Sequence, residues 1–154
     1  MIVLAHAGLG VLGVLSAVWV FVETLNAHPR NSGRIRTAAL VVTLCMAGAW
    51  VLGGHWYLHF YPADKALILH GPWPFAHNLF METKEHLFLL VLILSLYLPI
   101  AAWENLHANA AARKLVLWVA LLIGVNGLAI ESFGAVVNHA AKIALSSPIG
   151  KGAP

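Results

Sequence analysis

Leu87-Phe88-Leu89-Leu90-Val91-Leu92-Ile93-Leu94-Ser95-Leu96-Tyr97-Leu98 contains no charge, no glycine and no proline. With its apolar flanks it reads as one segment from about Phe80 to Trp103. A helix that crosses a bilayer needs ~20 mostly apolar residues. Three further stretches meet the same condition: about Ile2 to Leu25, Thr37 to Phe60 and Leu115 to Ala141. None alternates apolar with polar residues, which argues against a transmembrane barrel. Helices satisfy their own backbone polar groups in lipid, whereas open strands do not. The expected fold is an all-α, four-helix membrane bundle running up-down-up-down. It forms one domain over residues 1–145, with a flexible tail over 146–154.

Composition agrees. Of 154 residues 60% are hydrophobic and 10% charged, against ~25% charged in an ordinary soluble domain, and the mean hydropathy is +0.81. This excludes a disordered tail, a collagen-like fibre and a typical soluble enzyme. The single cysteine, Cys45, excludes an internal disulfide framework and any site built on several cysteines. In mid-span it reads as a small core residue.

The connections are polar or rich in proline. The first holds Arg30, Arg34 and Arg36 and the third Arg113 and Lys114, while Lys65, Lys142 and Lys151 fall on the other side. Cytoplasmic loops carry the excess of Lys and Arg, so both termini and the second connection are expected outside, as in a bacterial inner-membrane protein. The start, Met1-Ile2-Val3-Leu4-Ala5, lacks the basic region of a signal peptide and reads as part of a retained span. These basic loops account for the pI near 9.3 without nucleic acid as a partner. Trp50, Trp56, Tyr57, Tyr61, Trp73 and Phe75 read as an interfacial aromatic belt. Glu23 reads as interfacial, and Pro99 as a kink or early end of the third span.

Nine histidines are out of proportion to nine Lys+Arg and six Asp+Glu. His28, His70 and His107 fall in connections, and His77 immediately precedes the third span. His6, His55, His59, His86 and His139 fall inside spans, where an ionisable side chain is costly and marks a candidate site. Alternation of the four spans gathers all five into one half of the membrane, toward the outer face. At 1.5 Å per residue they form two rough layers: His55, His86 and Glu131 below, His6, His59, Glu82 and His139 above. His55 and His59 share a helix face, as do Glu82 and His86, and Glu131 with Asn138 and His139. All are expected to point inward. Gly10, Gly13, Gly53 and Gly54 lie beside them and would leave room for a planar ring, although close helix packing explains such glycines equally well.

Bis-histidine haem b fits these features first. His6, His55, His59, His86 and His139 are the candidate axial ligands, with Glu82, Glu131 and Asn138 as partners orienting the imidazoles. One or two haems are expected near the outer face, exchanging electrons with a quinone, a periplasmic carrier or a partner subunit. The alternative is a haem-free iron, copper or zinc site of one or two metals built from the same residues, in an oxidase or a transporter. The architecture resembles that of small four-helix membrane b-type cytochromes. No phosphate-binding glycine loop, Ser-x-x-Lys or Cys-x-x-Cys-His haem-attachment motif is present.

Overall fold

The computed structural model describes residues 1–147. Of the expected tail, 148–154 lies outside the described residues, and so does Lys151. The regular elements among the described residues are all helical: α1 (Ile2–Leu25), α2 (Ser32–His59), α3 (Tyr61–His70), a π-helical turn (Ala76–Met81), α4 (Glu82–Ala102) and α5 (Ala110–Ser146). Four segments are long and apolar enough to cross a membrane: α1, α2, the π turn continued by α4, and α5. They pack as a ring, α1 against α2 and α5, and α4 against α2 and α5.

Each long helix is apolar on both its faces. On α1, Gly10, Gly13, Val14, Ala17, Val20 and Thr24 are buried, whereas Val11, Leu12, Leu15, Val18, Trp19 and Val22 are exposed. A stripe of three- and four-residue steps turned inward, with a second apolar face left outside, suits a lipid surrounding. The core between the helices is made of small and branched residues: Ala17, Ala39, Val42, Val91, Ala120 and Ile123 are buried in it. Small side chains let helix backbones approach closely. At Gly127 a Cβ would lie 2.5 Å from the Val14 side chain, so α1 and α5 meet there with no room for alanine.

Several boundaries differ from the sequence reading. α2 starts at Ser32 and not at Thr37, so Arg34 and Arg36 lie in its first turns, and the third span starts at Ala76 and not at Phe80. The second connection is not simply a loop: Tyr61–His70 is helical, with Pro62 in the first turn, where its missing N–H costs nothing. α5 has 37 residues, about 55 Å of helix, and so outruns an apolar layer of ~30 Å. Its far end packs against α3 and the π turn. Tyr61, Ile68, Ala76, Met81, Val137 and Ala140 form a second buried cluster there. At the other end of α5 the Asn109 side chain accepts from the Ala111 and Ala112 N–H groups at 3.1 and 3.0 Å, which starts the helix before Leu115.

Pro99 neither ends α4 nor breaks the bundle: the helix continues to Ala102. A proline at 99 cannot donate to the Ser95 carbonyl one turn earlier. The Thr43 hydroxyl of α2 lies 2.5 Å from that carbonyl and donates to it.

Candidate intramembrane polar site

Three ionisable side chains enter the bundle, and each lies against a glycine of a neighbouring helix. His6 of α1 faces Gly53 of α2, where a Cβ would lie 2.7 Å from its Cε1 and 2.8 Å from its Nδ1. Glu131 of α5 faces Gly10 of α1, where a Cβ would overlap the carboxylate. Lys84 of α4 faces Gly134 of α5, where a Cβ would come 3.0 Å from the ammonium nitrogen. These glycines adopt ordinary helical backbone, none at positive φ. Their role here is the missing side chain, which leaves a notch for a polar group from the next helix.

His6 is held by its Nδ1, 2.8 Å from the Ala49 carbonyl. A carbonyl only accepts, so Nδ1 carries the proton, and Nε2 of the neutral ring keeps its lone pair. Lys84 is close enough to both His6 and Glu131 for its charge to act on them. Among the described residues neither Lys84 nor Glu131 has a hydrogen bond, and they do not touch as an ion pair. Beneath Glu131 lies a cavity of about 10 Å³ lined by Val14, Met46, Phe88, Val91 and Ile130. That is about the space of one water, which would need two or more polar partners. Glu131 is the only ionisable side chain there.

The histidines expected beside His6 are placed differently. His55, His59, His86 and His139 are exposed, as are Asn138 and Glu82. The expected inward convergence of all five span histidines is therefore corrected: His6 enters the bundle and the other four face outward. The reason is helix phase. On α4 the buried stripe is Val91, Ser95 and Leu98, and its continuation toward the start of the helix meets Lys84, not His86. On α2 the inward positions Cys45, Met46 and Ala49 lead to Gly53 and Trp56, turning His55 and His59 away. His55 and His59 stack on each other with ring centres 4.3 Å apart. His59 donates from Nδ1 to the His55 carbonyl at 2.9 Å, and His86 to the Glu82 carbonyl at 2.7 Å. His139 rests edge-on against Trp73, 5.4 Å away. Among the described residues no three His, Cys, Asp or Glu side chains are grouped so as to hold a metal ion. Gly54 has open space where its side chain would be, whereas the notch at Gly13 is filled by Met46 and Cys45.

Two features were not anticipated. Lys84 is one; its distances of four and seven residues from Phe88 and Val91 are the signal that places it on the inner stripe. The other is His77, which is buried and shares a 2.9 Å hydrogen bond with the buried Tyr61 hydroxyl. Tyr61 therefore belongs to the core, not to an aromatic belt. Burial raises its hydroxyl above the ordinary tyrosine pKa, helped by Tyr57, Glu85 and Asp64 nearby. Burial also raises the Asp64 carboxyl. Tyr57 stacks on Tyr61 at 5.2 Å, and Trp56 packs beside it at 5.3 Å.

No family model, curated protein or solved structure matches this chain.

Proposed function

We propose that the chain is a membrane electron-transfer protein that binds haem b at the end of the bundle where His6 lies. The bundle would run up-down-up-down, with both termini and the haem toward the outer face. The observation that carries this reading is how the histidines are held. In His6 the Nδ1 proton is taken up at 2.8 Å by the Ala49 carbonyl of a neighbouring helix, inside the bundle. His59, His86 and also the loop-side His70 make the local form of this bond, to the carbonyl four residues earlier, at 2.7–2.9 Å. That fixes ring orientation and leaves the Nε2 lone pair free for a metal, the arrangement typical of metal-ligating histidines. His6 would be the interior ligand, with an exposed histidine of the same end, His55, His59 or His86, as the second. The interior beneath Glu131 offers only about 10 Å³, against the ~300–1,000 Å³ of a ligand pocket, so the group belongs at the edge of the bundle. When bound, haem supplies reversible one-electron chemistry. Lys84 places a charge within reach of His6, where it would tune the potential. A quinone, a periplasmic carrier or a partner subunit would be the redox partner.

The test is the absorption spectrum of the purified protein. A Soret band with sharp α and β bands on reduction is expected, lost in His6→Ala and kept in His70→Ala. Protein without haem absorption would overturn the reading.

A second reading rests on Lys84 and Glu131, which haem ligation does not require. Without a porphyrin, His6, Lys84 and Glu131 would exchange protons or hold a haem-free metal ion within the membrane. Metal analysis and proton release on metal addition to haem-free protein distinguish it. Iron, copper or zinc at a fixed ratio, lost in Glu131→Gln, would favour a metal site.

A further inference from the structure

The first and third connections meet at the end of the bundle away from His6, around a cavity of about 250 Å³. None of the candidate haem ligands lines it. Its walls carry Arg36, His28, His107, Ser32, Trp103 and Glu104. Arg36 is fixed in place. Its Nη2 donates to the Trp103 carbonyl at 2.9 Å and its Nε points to the Ala102 carbonyl at 3.5 Å. The guanidinium also lies over the Trp103 ring, 5.4 Å from its centre. Its Nη1 has no hydrogen bond among the described residues, so donor capacity remains unused. In His28 the Nδ1 accepts from the Asn31 N–H at 3.2 Å, which leaves the neutral ring's proton on Nε2 as a donor. One carboxylate opposes these groups, that of Glu104. Arg34, which is nearby in sequence, is already engaged by Glu23 at 2.9 Å. Arg30 of the first connection and Arg113 and Lys114 of the first turns of α5 have no carboxylate partner among the described residues.

We propose that this cavity binds the phosphate group of an anionic phospholipid. Three arguments converge. A preorganised guanidinium with a free N–H and imidazole donors is suited to phosphate oxygens. Basic pockets at the ends of membrane helices, on the face rich in Lys and Arg, meet anionic headgroups. Beside its polar groups the cavity is lined by the exposed Trp103 ring and by the half-buried Ala27, apolar surface that the acyl region of a phospholipid can contact. A free phosphate ion would use the same donors without gaining that apolar contact.

The experiment is native mass spectrometry of the full chain in detergent. The probes are dioctanoyl phosphatidylglycerol, dioctanoyl phosphatidylcholine and inorganic phosphate. Phosphatidylglycerol should bind roughly fivefold or more tightly than phosphatidylcholine, the order expected for one basic side chain near a charged headgroup. Arg36→Gln and His107→Ala should each weaken phosphatidylglycerol severalfold and phosphatidylcholine less, because its choline cation already offsets the charge of the same phosphate, and Glu104→Gln should tighten phosphatidylglycerol. If Arg36→Gln fails to fold, since its bonds tie α2 to the end of α4, the other two variants carry the test. Equal affinity for the two lipids, or unchanged affinity in all folded variants, overturns the proposal. Inorganic phosphate displacing phosphatidylglycerol at equal concentration also overturns it, because the site would then serve a free anion.

Discussion

The Thr43 hydroxyl donates to the Ser95 carbonyl across the α2–α4 interface at 2.5 Å, and Ser95 is the residue whose helical partner Pro99 has removed. The two facts form one device: a proline opens an acceptor, and a hydroxyl from the next helix fills it. In lipid no water is at hand to take the place of that hydroxyl. Thr43→Val should therefore destabilise the bundle by about 1–2 kcal/mol. Restoring a backbone donor with Pro99→Ala should make the same Thr43 change nearly neutral. A double-mutant cycle by denaturant unfolding in detergent measures this. A Thr43→Val cost that is the same with and without Pro99 would show that the bond does not answer the proline.

Gly53 is the back wall of the His6 site. In Gly53→Ala the new methyl would sit 2.7 Å from Cε1, a distance that forces the ring to move. Moving it breaks the Ala49 bond that sets the ring's tautomer. Gly54→Ala, one residue on, meets nothing within 4 Å. The expected result is a loss of about 1–3 kcal/mol for Gly53→Ala, from overpacking, and a change between zero and a gain of about 1 kcal/mol for Gly54→Ala, from helix propensity. Thermal unfolding of both variants in one detergent checks the pair. If Gly53→Ala proves as harmless as Gly54→Ala, His6 is not wedged as described.

Tyr61 gives a pH dependence whose sign follows from its burial. The native state holds the phenolic proton more tightly than the unfolded chain does. The unfolded chain releases it near pH ~10, so above that pH the native state binds more protons and stability falls as pH rises. Below it this contribution is fully present. Tyr61→Phe should flatten the fall. It should also cost about 1–3 kcal/mol at neutral pH, because His77 loses its buried partner. Unfolding midpoints measured between pH 7 and 11 test both parts, and an identical slope in the two proteins would count against the assignment.

The spans were legible because lipid imposes length and composition directly: Ile2–Leu25 was read to the residue, and α4 ends one residue before the boundary expected at Trp103. Helix phase was harder. His55 and His59 do share a face, as spacing alone required, but spacing cannot say whether that face turns in or out. Apolar residues on all sides of a membrane helix remove the contrast that tells inside from outside in a soluble one. The small residues held the answer for part of the site. Gly10 and Glu131, each read as lining the interior, are in contact. Lys84 was overlooked because the run from Glu82 to His86 looks like a solvated helix start, while only its third residue follows the buried stripe to Val91. The Tyr61–His77 bond spans a helix and a turn that no periodicity announced.

Glu131 and Lys84 offer the sharpest test of the interior. Glu131 occupies the space a Cβ at Gly10 would need, so Gly10→Ala must displace the carboxylate or part α1 from α5. The cost should be about 1–3 kcal/mol. Combining it with Glu131→Ala, which empties the notch, should return most of that loss, a coupling of about 1 kcal/mol or more between contacting residues. Lys84→Met provides the electrostatic arm. Without the ammonium, Glu131 loses the cation whose charge acts on it, and an acidic group left alone among apolar side chains is expensive as an anion. Lys84→Met should therefore destabilise the wild-type bundle more than it destabilises Glu131→Gln. Unfolding free energies of the single and double variants decide it: additive losses would mean that Lys84 and Glu131 enter the bundle independently, and a smaller combined loss that they are kept there as a pair.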